Sequence, residues 1–277
     1  MKLFLCLGIA LALIACSNND SMNVEKSEIA DTFMSCHSQK SRKGIVNGSA
    51  VSALDPDSKQ AVLLIIRRGK DIQSCTGAPI SNRVILTAAH CLKGADKTSV
   101  TVVFHPEMTC ASGYDISKSI PSTDILVHKK YDGKSNADSD LGLVKLAAPI
   151  PASYPVQSIY DGESPVSSDQ VLMIGYGISN EGAEDSLFLR KVTKSFKNQT
   201  SLREQNIIFD QRGDSGGVCS GDSGGPVYVQ VDGQYKIIGI NSVVAAKDEK
   251  TACHGVSVGM YMPSFSDWVK ENISRLK

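Results

Sequence analysis

The segment Cys219-Ser220-Gly221-Asp222-Ser223-Gly224-Gly225-Pro226 carries the strongest chemical signal in the sequence. A serine flanked by glycines can stand on a tight turn with its Oγ exposed. Unpaired N–H groups at Gly221 and Ser223 would then face a developing oxyanion. A serine hydroxyl is a weak nucleophile near neutral pH, so it needs a base, and the base needs an acid to orient it. Thr87-Ala88-Ala89-His90-Cys91 offers a His directly after an apolar run. Ser139-Asp140-Leu141-Gly142-Leu143-Val144-Lys145-Leu146 offers an Asp at the mouth of an apolar strand.

Three segments so far apart need a scaffold that presents them together. From Ile45 onward, short apolar runs alternate with turn signals: Ala61–Ile66, Val84–Leu86, Val100–Phe104, Ile125–Val127, Leu141–Leu146, Val171–Ile174, Pro226–Val231 and Tyr235–Ile240. Asp232-Gly233 joins the last two as a two-residue hairpin. Short strands in this rhythm point to an all-β sandwich or barrel. One helix is expected after Pro263, where Phe265, Trp268, Val269 and Ile273 make a single apolar stripe. With 42% hydrophobic and 21% charged residues, the 277-residue chain is globular rather than disordered or polytopic. Its 29 Lys plus Arg balance 29 Asp plus Glu, which leaves no electrostatic case for nucleic acid as a partner.

In the order His90, Asp140, Ser223, the three segments resemble those of the trypsin/chymotrypsin family of serine proteases; other folds carry such a triad in other chain orders. Ile45-Val46-Asn47-Gly48 resembles the mature N-terminus of that family. Cys75 and Cys91 stand sixteen positions apart around His90, as the family's His-loop disulfide does. Gly175-Tyr176-Gly177, Tyr261 and the terminal helix with Trp268 also fall where family counterparts do. The resemblance covers 45–277. It implies an all-β fold of two six-stranded antiparallel β-barrels packed together, with a C-terminal α-helix. It further implies a monomeric serine endopeptidase acting on protein or peptide substrates, with no metal or organic cofactor. His90 would take the Ser223 proton and return it to the leaving amine, while Asp140 fixes the His tautomer. Gly213-Asp214-Ser215-Gly216-Gly217 repeats the serine motif but lacks the following Pro, and Gln211 stands where Cys219 precedes the second copy. Ser223 is therefore the expected nucleophile and Ser215 a loop residue. A catalytically silent binding homologue and an esterase are the competing readings.

By the same resemblance, the primary pocket maps to Gly217, Val218, Ser242, Val244 and Gly259. Trypsins carry Asp where Gly217 stands and Gly where Val244 stands. Without a buried carboxylate there is no partner for a Lys or Arg substrate side chain, and two valines fill space that an aromatic would need. Preference for small or medium aliphatic residues follows, unless loop insertions bring Asp214 into the pocket. Cys219–Cys253 matches a family disulfide, but the cysteine expected after Ile207–Phe209 is missing, with Asp210 in that region. Val243 replaces the usual aromatic on the substrate-binding strand.

The front of the chain reads as an address. Met1-Lys2 and the apolar run Leu3–Ala15 form a signal peptide (1–15), too short to span a bilayer comfortably. Leu13-Ile14-Ala15-Cys16 resembles a bacterial lipobox, so Cys16 would be acylated and 16–44 would be a polar tether or pro-segment. The expected place is the cell envelope, at the outer membrane or surface, or the medium if the anchor is removed. Export permits disulfides, and once Cys6 and Cys16 are set aside, six cysteines remain for up to three bridges. Adjacent Cys36-His37 and His90-Cys91 lack metal-ligand spacing. The family's activation, a cut before Ile45 whose new amine pairs with Asp222, implies an activating protease; Arg42-Lys43 sits one Gly too early for a trypsin-like cut. Cys36 and Cys110, left over on either side of that cut, are expected to pair and hold the anchor to the enzyme.

Overall fold

In this computed structural model, residues 45–108, 118–133, 138–163, 169–183, 185–213, 216–246 and 249–276 are described. The signal and tether, Cys16, Cys36, Cys110, Asp214 and Ser215 lie outside them.

The first half is built from β2 (Val62–Arg68), β3 (Asp71–Pro79), β4 (Val84–Thr87), β5 (Val100–Val103), β6 (Ser119–Val127) and β7 (Gly142–Leu146), after a two-residue β1 (Ser49–Ala50). These six strands close in the order β2-β3-β4-β7-β6-β5, and every pairing is antiparallel. Alternation does the filling: Val62, Leu64 and Ile66 of β2 join Ile85, Val100, Val102, Val144 and Leu146 in one core cluster. Each such side chain contributes roughly 1.5–3 kcal/mol by leaving water.

The second half comprises β8 (Ser158–Ile159), β9 (Gln170–Gly175), β10 (Arg190–Ser195), β11 (Thr200–Arg203), β12 (Asn206–Asp210), β13 (Pro226–Val231), β14 (Gln234–Ala245) and β15 (Val256–Tyr261). The expected all-β class with a terminal helix holds, and the second half takes the form of a half-barrel sheet. The strands form a nine-stranded sheet in the order β1-β10-β9-β13-β14-β15-β12-β11, with β8 on β14. Among the described residues no ladder joins β10 to β11 or β12: β12 pairs with β15 and β11, and β1 caps the start of β10. A side chain crosses the open seam instead: Lys194 Nζ on β10 donates to the Asp210 carbonyl on β12 at 3.1 Å. The β13–β14 hairpin turns at Asp232 and Gly233 (φ 51° and 74°), the left-handed pair that a type I′ turn requires.

The C-terminal helix, Ser266–Arg275, follows a 3-10 turn at Met262–Phe265. Its aromatic residues reach the first half, where His128 packs edge-on against Phe265 (5.7 Å) and tilted against Trp268 (4.8 Å). Sequence patterning missed β10. Its buried positions include Arg190 and Lys194, cations that hydropathy assigns to the surface.

Candidate active site

Strand β4 runs into a single helical turn, Ala89–Leu92, which carries His90 at the rim of the first barrel. A disulfide from Cys91 to Cys75 on β3 fixes that turn. The fully buried Asp140 holds His90 twice: its Oδ1 accepts from the His90 backbone N–H at 2.8 Å, and its Oδ2 faces ring Nδ1 at 2.7 Å. A carboxylate partner places the ring proton on Nδ1 and leaves Nε2 as the basic nitrogen. Ser242, expected on the pocket wall, also donates its Oγ to Asp140 Oδ2, at 2.5 Å. Three donors on one buried carboxylate fix its orientation.

Ser223 stands on the Cys219–Gly225 loop, tied to Cys253 by a disulfide. Gly221 and Gly224 take φ of 95° and 79° there. A Cβ on Gly224 would overlap the Thr87 hydroxyl and the Thr76 carbonyl. The loop's N–H groups divide sharply. Those of Asp222, Gly224 and Gly225 donate to Cys219, Asn241 and Asp222 carbonyls. Among the described residues, those of Gly221 and Ser223 have no acceptor, which is the condition for an oxyanion site. Among the described residues the Ser223 hydroxyl makes one hydrogen bond, a long one of 3.5 Å, to the Ser242 carbonyl and not to His90. His90 Nε2 lies 3.7 Å from the Cys91 sulfur. With both sulfurs spent in the disulfide, the Cys75, His90 and Cys91 donors cannot act as a thiolate metal site.

Thr76 on β3 had no part in the sequence reading, yet it clasps the loop. Its N–H donates to the Ser223 carbonyl (2.8 Å) and its Oγ1 to the Gly221 carbonyl (2.9 Å), while Oγ1 accepts from the Tyr176 N–H (3.0 Å). Pinning the Gly221 carbonyl there fixes the loop that aims the N–H groups outward. No motif reveals this role, because it depends on a strand of the other half.

Asp222 is fully buried, and its two oxygens accept from Gly177 N–H (2.8 Å) and Cys219 N–H (2.9 Å). Burial pushes its carboxyl up to about 7, against the pull of those two bonds and of Arg190. Ile45 is fully buried at φ 41°, and Val46 bridges to Gly217, whose N–H donates to the Val46 carbonyl at 3.0 Å. Ile45 is not among the described partners of Asp222.

Beside Ser223 lies a cavity of about 150 Å³, lined by Val218, Cys219, Ser220, Ser223, Asn241, Ser242, Val243 and Val244. None of these residues is charged. Gly217 and Gly259, expected on its walls, do not line it. Gly259 sits within the sheet, paired with Ile207 and Asn241. Gly217 backs onto Gln211, whose buried amide accepts from Val218 N–H (2.8 Å) and donates to the Val218 and Cys253 carbonyls (3.0 and 3.1 Å). Asp210, where a cysteine was expected, forms a surface ion pair with Arg212 that holds its carboxyl down to about 2.

The family model described as Trypsin matches residues 45–269. Chymotrypsin of Phaedon cochleariae is 26% identical over 239 residues, 81% of this chain and 83% of its own. Trypsin Blo t 3 of Blomia tropicalis is 28% identical over 200 residues, 66% of this chain and 71% of its own. Vitamin K-dependent protein C of Rattus norvegicus is 26% identical over 223 residues, 72% of this chain; the chain spans 45% of that relative's length. The solved structure of a scabies mite inactivated protease paralogue covers 84% of this chain and 100% of its own, with TM-score 0.63 and 20% identity, a likeness of fold alone.

Proposed function

The chain belongs to the trypsin family, and from that premise we propose a serine endopeptidase that cleaves peptide bonds through Ser223, His90 and Asp140. One observation carries the reading: an Asp-oriented His stands with a serine whose loop keeps two N–H groups unpaired. When a substrate carbonyl enters, the Ser223 hydroxyl turns from the Ser242 carbonyl toward His90 Nε2 and gives up its proton as Oγ bonds to carbon. Catalytic hydrogen bonds of this kind often tighten only in the substrate complex. The carbonyl oxygen becomes an oxyanion held by Gly221 and Ser223 N–H groups. His90 then protonates the leaving amine, and water repeats the sequence to free the acid. Asp140 holds the His90 ring and stabilises the imidazolium that forms.

The uncharged 150 Å³ cavity supports a preference for small or medium aliphatic residues before the scissile bond. The front of the chain supports export and lipid anchoring through Cys16, with 16–44 as tether and pro-segment and Cys36 bridged to Cys110. No helix among the described residues is long and apolar enough to cross a membrane. A cut ahead of Ile45 would free an amine for which Asp222 is the candidate partner. The Ser223–Ser242 hydrogen bond favours one second reading, a silent homologue that binds without turnover.

A fluorophosphonate probe separates the two. Labelling before or after cleavage ahead of Ile45, lost in Ser223→Ala, is the expected result, with peptide substrates bearing Ala or Val outperforming those bearing Lys or Phe. Labelling that persists in Ser223→Ala, or none in any form, overturns the peptidase reading.

A further inference from the structure

A buried carboxylate next to the nucleophile needs a positive neighbour, and in a chain continuous through Gly44–Ile45 the Ile45 nitrogen is a neutral peptide N–H. The structure supplies a cation from β10. Arg190 is 1% exposed, and Nη1 donates to the Gly177 carbonyl at 2.8 Å and the Phe188 carbonyl at 3.3 Å. Nη2 donates to the Asp185 carbonyl at 2.6 Å and lies 3.2 Å from the Asp185 carboxylate. Its buried Nε has no hydrogen-bond partner among the described residues. Burial pulls the Arg190 guanidinium down, against the carboxylates of Asp185, on the loop before β10, and Asp222, and Arg190 in turn favours the ionised form of Asp222.

A short mechanical path leads from Arg190 to the oxyanion loop. Gly177 is gripped at both ends, its carbonyl by Arg190 and its N–H by Asp222 Oδ1. A Cβ on Gly177 would stand 2.5 Å from Asp222 Cγ, and one on Gly221 would stand 2.9 Å from Gly177 Cα, so these backbones touch without a spacer. The next residue, Ile178, donates its N–H to the Ser220 carbonyl at 2.9 Å. We propose that Arg190 is a positioning residue that braces Gly177, Asp222 and the oxyanion N–H groups in the chain uncut before Ile45, so that hydrolysis does not wait for a free amine there. The proposal rests on the peptidase reading and goes beyond it, because it makes the uncut form an active enzyme.

The test compares two forms of the full chain: one kept whole by Arg42→Gln and Lys43→Gln, its mass checked intact, and one cut ahead of Ile45 at an inserted site for a specific protease. Fluorophosphonate labelling, kcat and KM on a peptide substrate, and carboxyl ¹³C NMR of Asp222 (assigned with Asp222→Asn) are read on both. The whole form is expected to label and turn over within about tenfold of the cut form. Arg190→Met should lower kcat of the whole form by ~10², the scale of a lost oxyanion donor, with KM little changed. The same substitution should raise the Asp222 titration, do less in the cut form, and be partly rescued by Arg190→Lys. A silent whole form beside an active cut form overturns the proposal without touching the peptidase reading, and needs no variant that must fold. Equal losses from Arg190→Met in both forms, or no loss in either, also overturn it. No labelling of either wild-type form sinks the peptidase reading and the proposal together.

Discussion

The two halves of the molecule solve the same packing problem by different means. In the first, backbone pairing closes the barrel and the interior is apolar; Asp140 is held at its rim by donors. In the second, the sheet stays open, and Arg190, Lys194, Gln211 and Asp222 are buried beside its apolar cluster. A closed hydrogen-bonded ring is rigid in itself, whereas an open one needs side-chain braces, and each brace carries a desolvation cost. The half that presents His90 and Asp140 therefore holds them by architecture. The half that presents Ser223 holds it by a network of specific polar bonds.

Four substitutions sharpen or break that contrast. Asp140→Asn should lower kcat by about 10⁴ through the wrong His90 tautomer while thermal unfolding hardly moves; a matching loss of stability would make Asp140 part of the scaffold instead. Leu64→Ala, in the heart of the closed barrel, should cost ~2–5 kcal/mol in denaturant unfolding. Activity per folded molecule should stay unchanged, and a loss of turnover in that variant would show that the halves are not separable. Thr76→Val removes the clasp on Gly221 and keeps the shape, so kcat should fall about tenfold, equivalent to ~1.4 kcal/mol, at constant KM. The smallest effect concerns the seam.

Lys194 is pulled down to about 8 by burial, opposed by Asp210. Between pH 8 and its ordinary value of 10.5 the unfolded chain holds a proton that the folded one has released. Its contribution therefore makes stability rise with pH across that window and stay flat below it. Lys194→Met should abolish that slope in urea unfolding series taken from pH 7.5 to 10. An unchanged slope would remove Lys194 from the seam's energetics.

The sequence showed the first half more clearly than the second, for a physical reason. Strands such as Val62–Arg68 and Gly142–Leu146 bury aliphatic side chains, so their hydropathy marks them. Strand β10, Arg-Lys-Val-Thr-Lys-Ser, buries its cations against carbonyl oxygens from other segments, and no local pattern records that compensation. At Gly217 and Gly259 the expected pocket wall and the lining of the cavity beside Ser223 differ for a similar reason. Position in an aligned motif does not reveal that Gln211 occupies the space behind Gly217 or that Gly259 lies between paired strands.

By itself the sequence determined which groups are chemically able: a serine among glycines, a His, an Asp, cysteines at bridging distances and a turn at Asp232-Gly233. Tertiary structure decided how the Ser223 loop aims its unpaired N–H groups, because Asn241 on β14 takes the Gly224 N–H and Thr76 on β3 clasps the Gly221 and Ser223 carbonyls. It also decided the strand order of the second sheet, in which β12 lies between β15 and β11 rather than beside β10. Gly177 likewise joins Asp222 to Arg190, more than thirty positions away, its N–H on the Asp222 carboxylate and its carbonyl on the guanidinium.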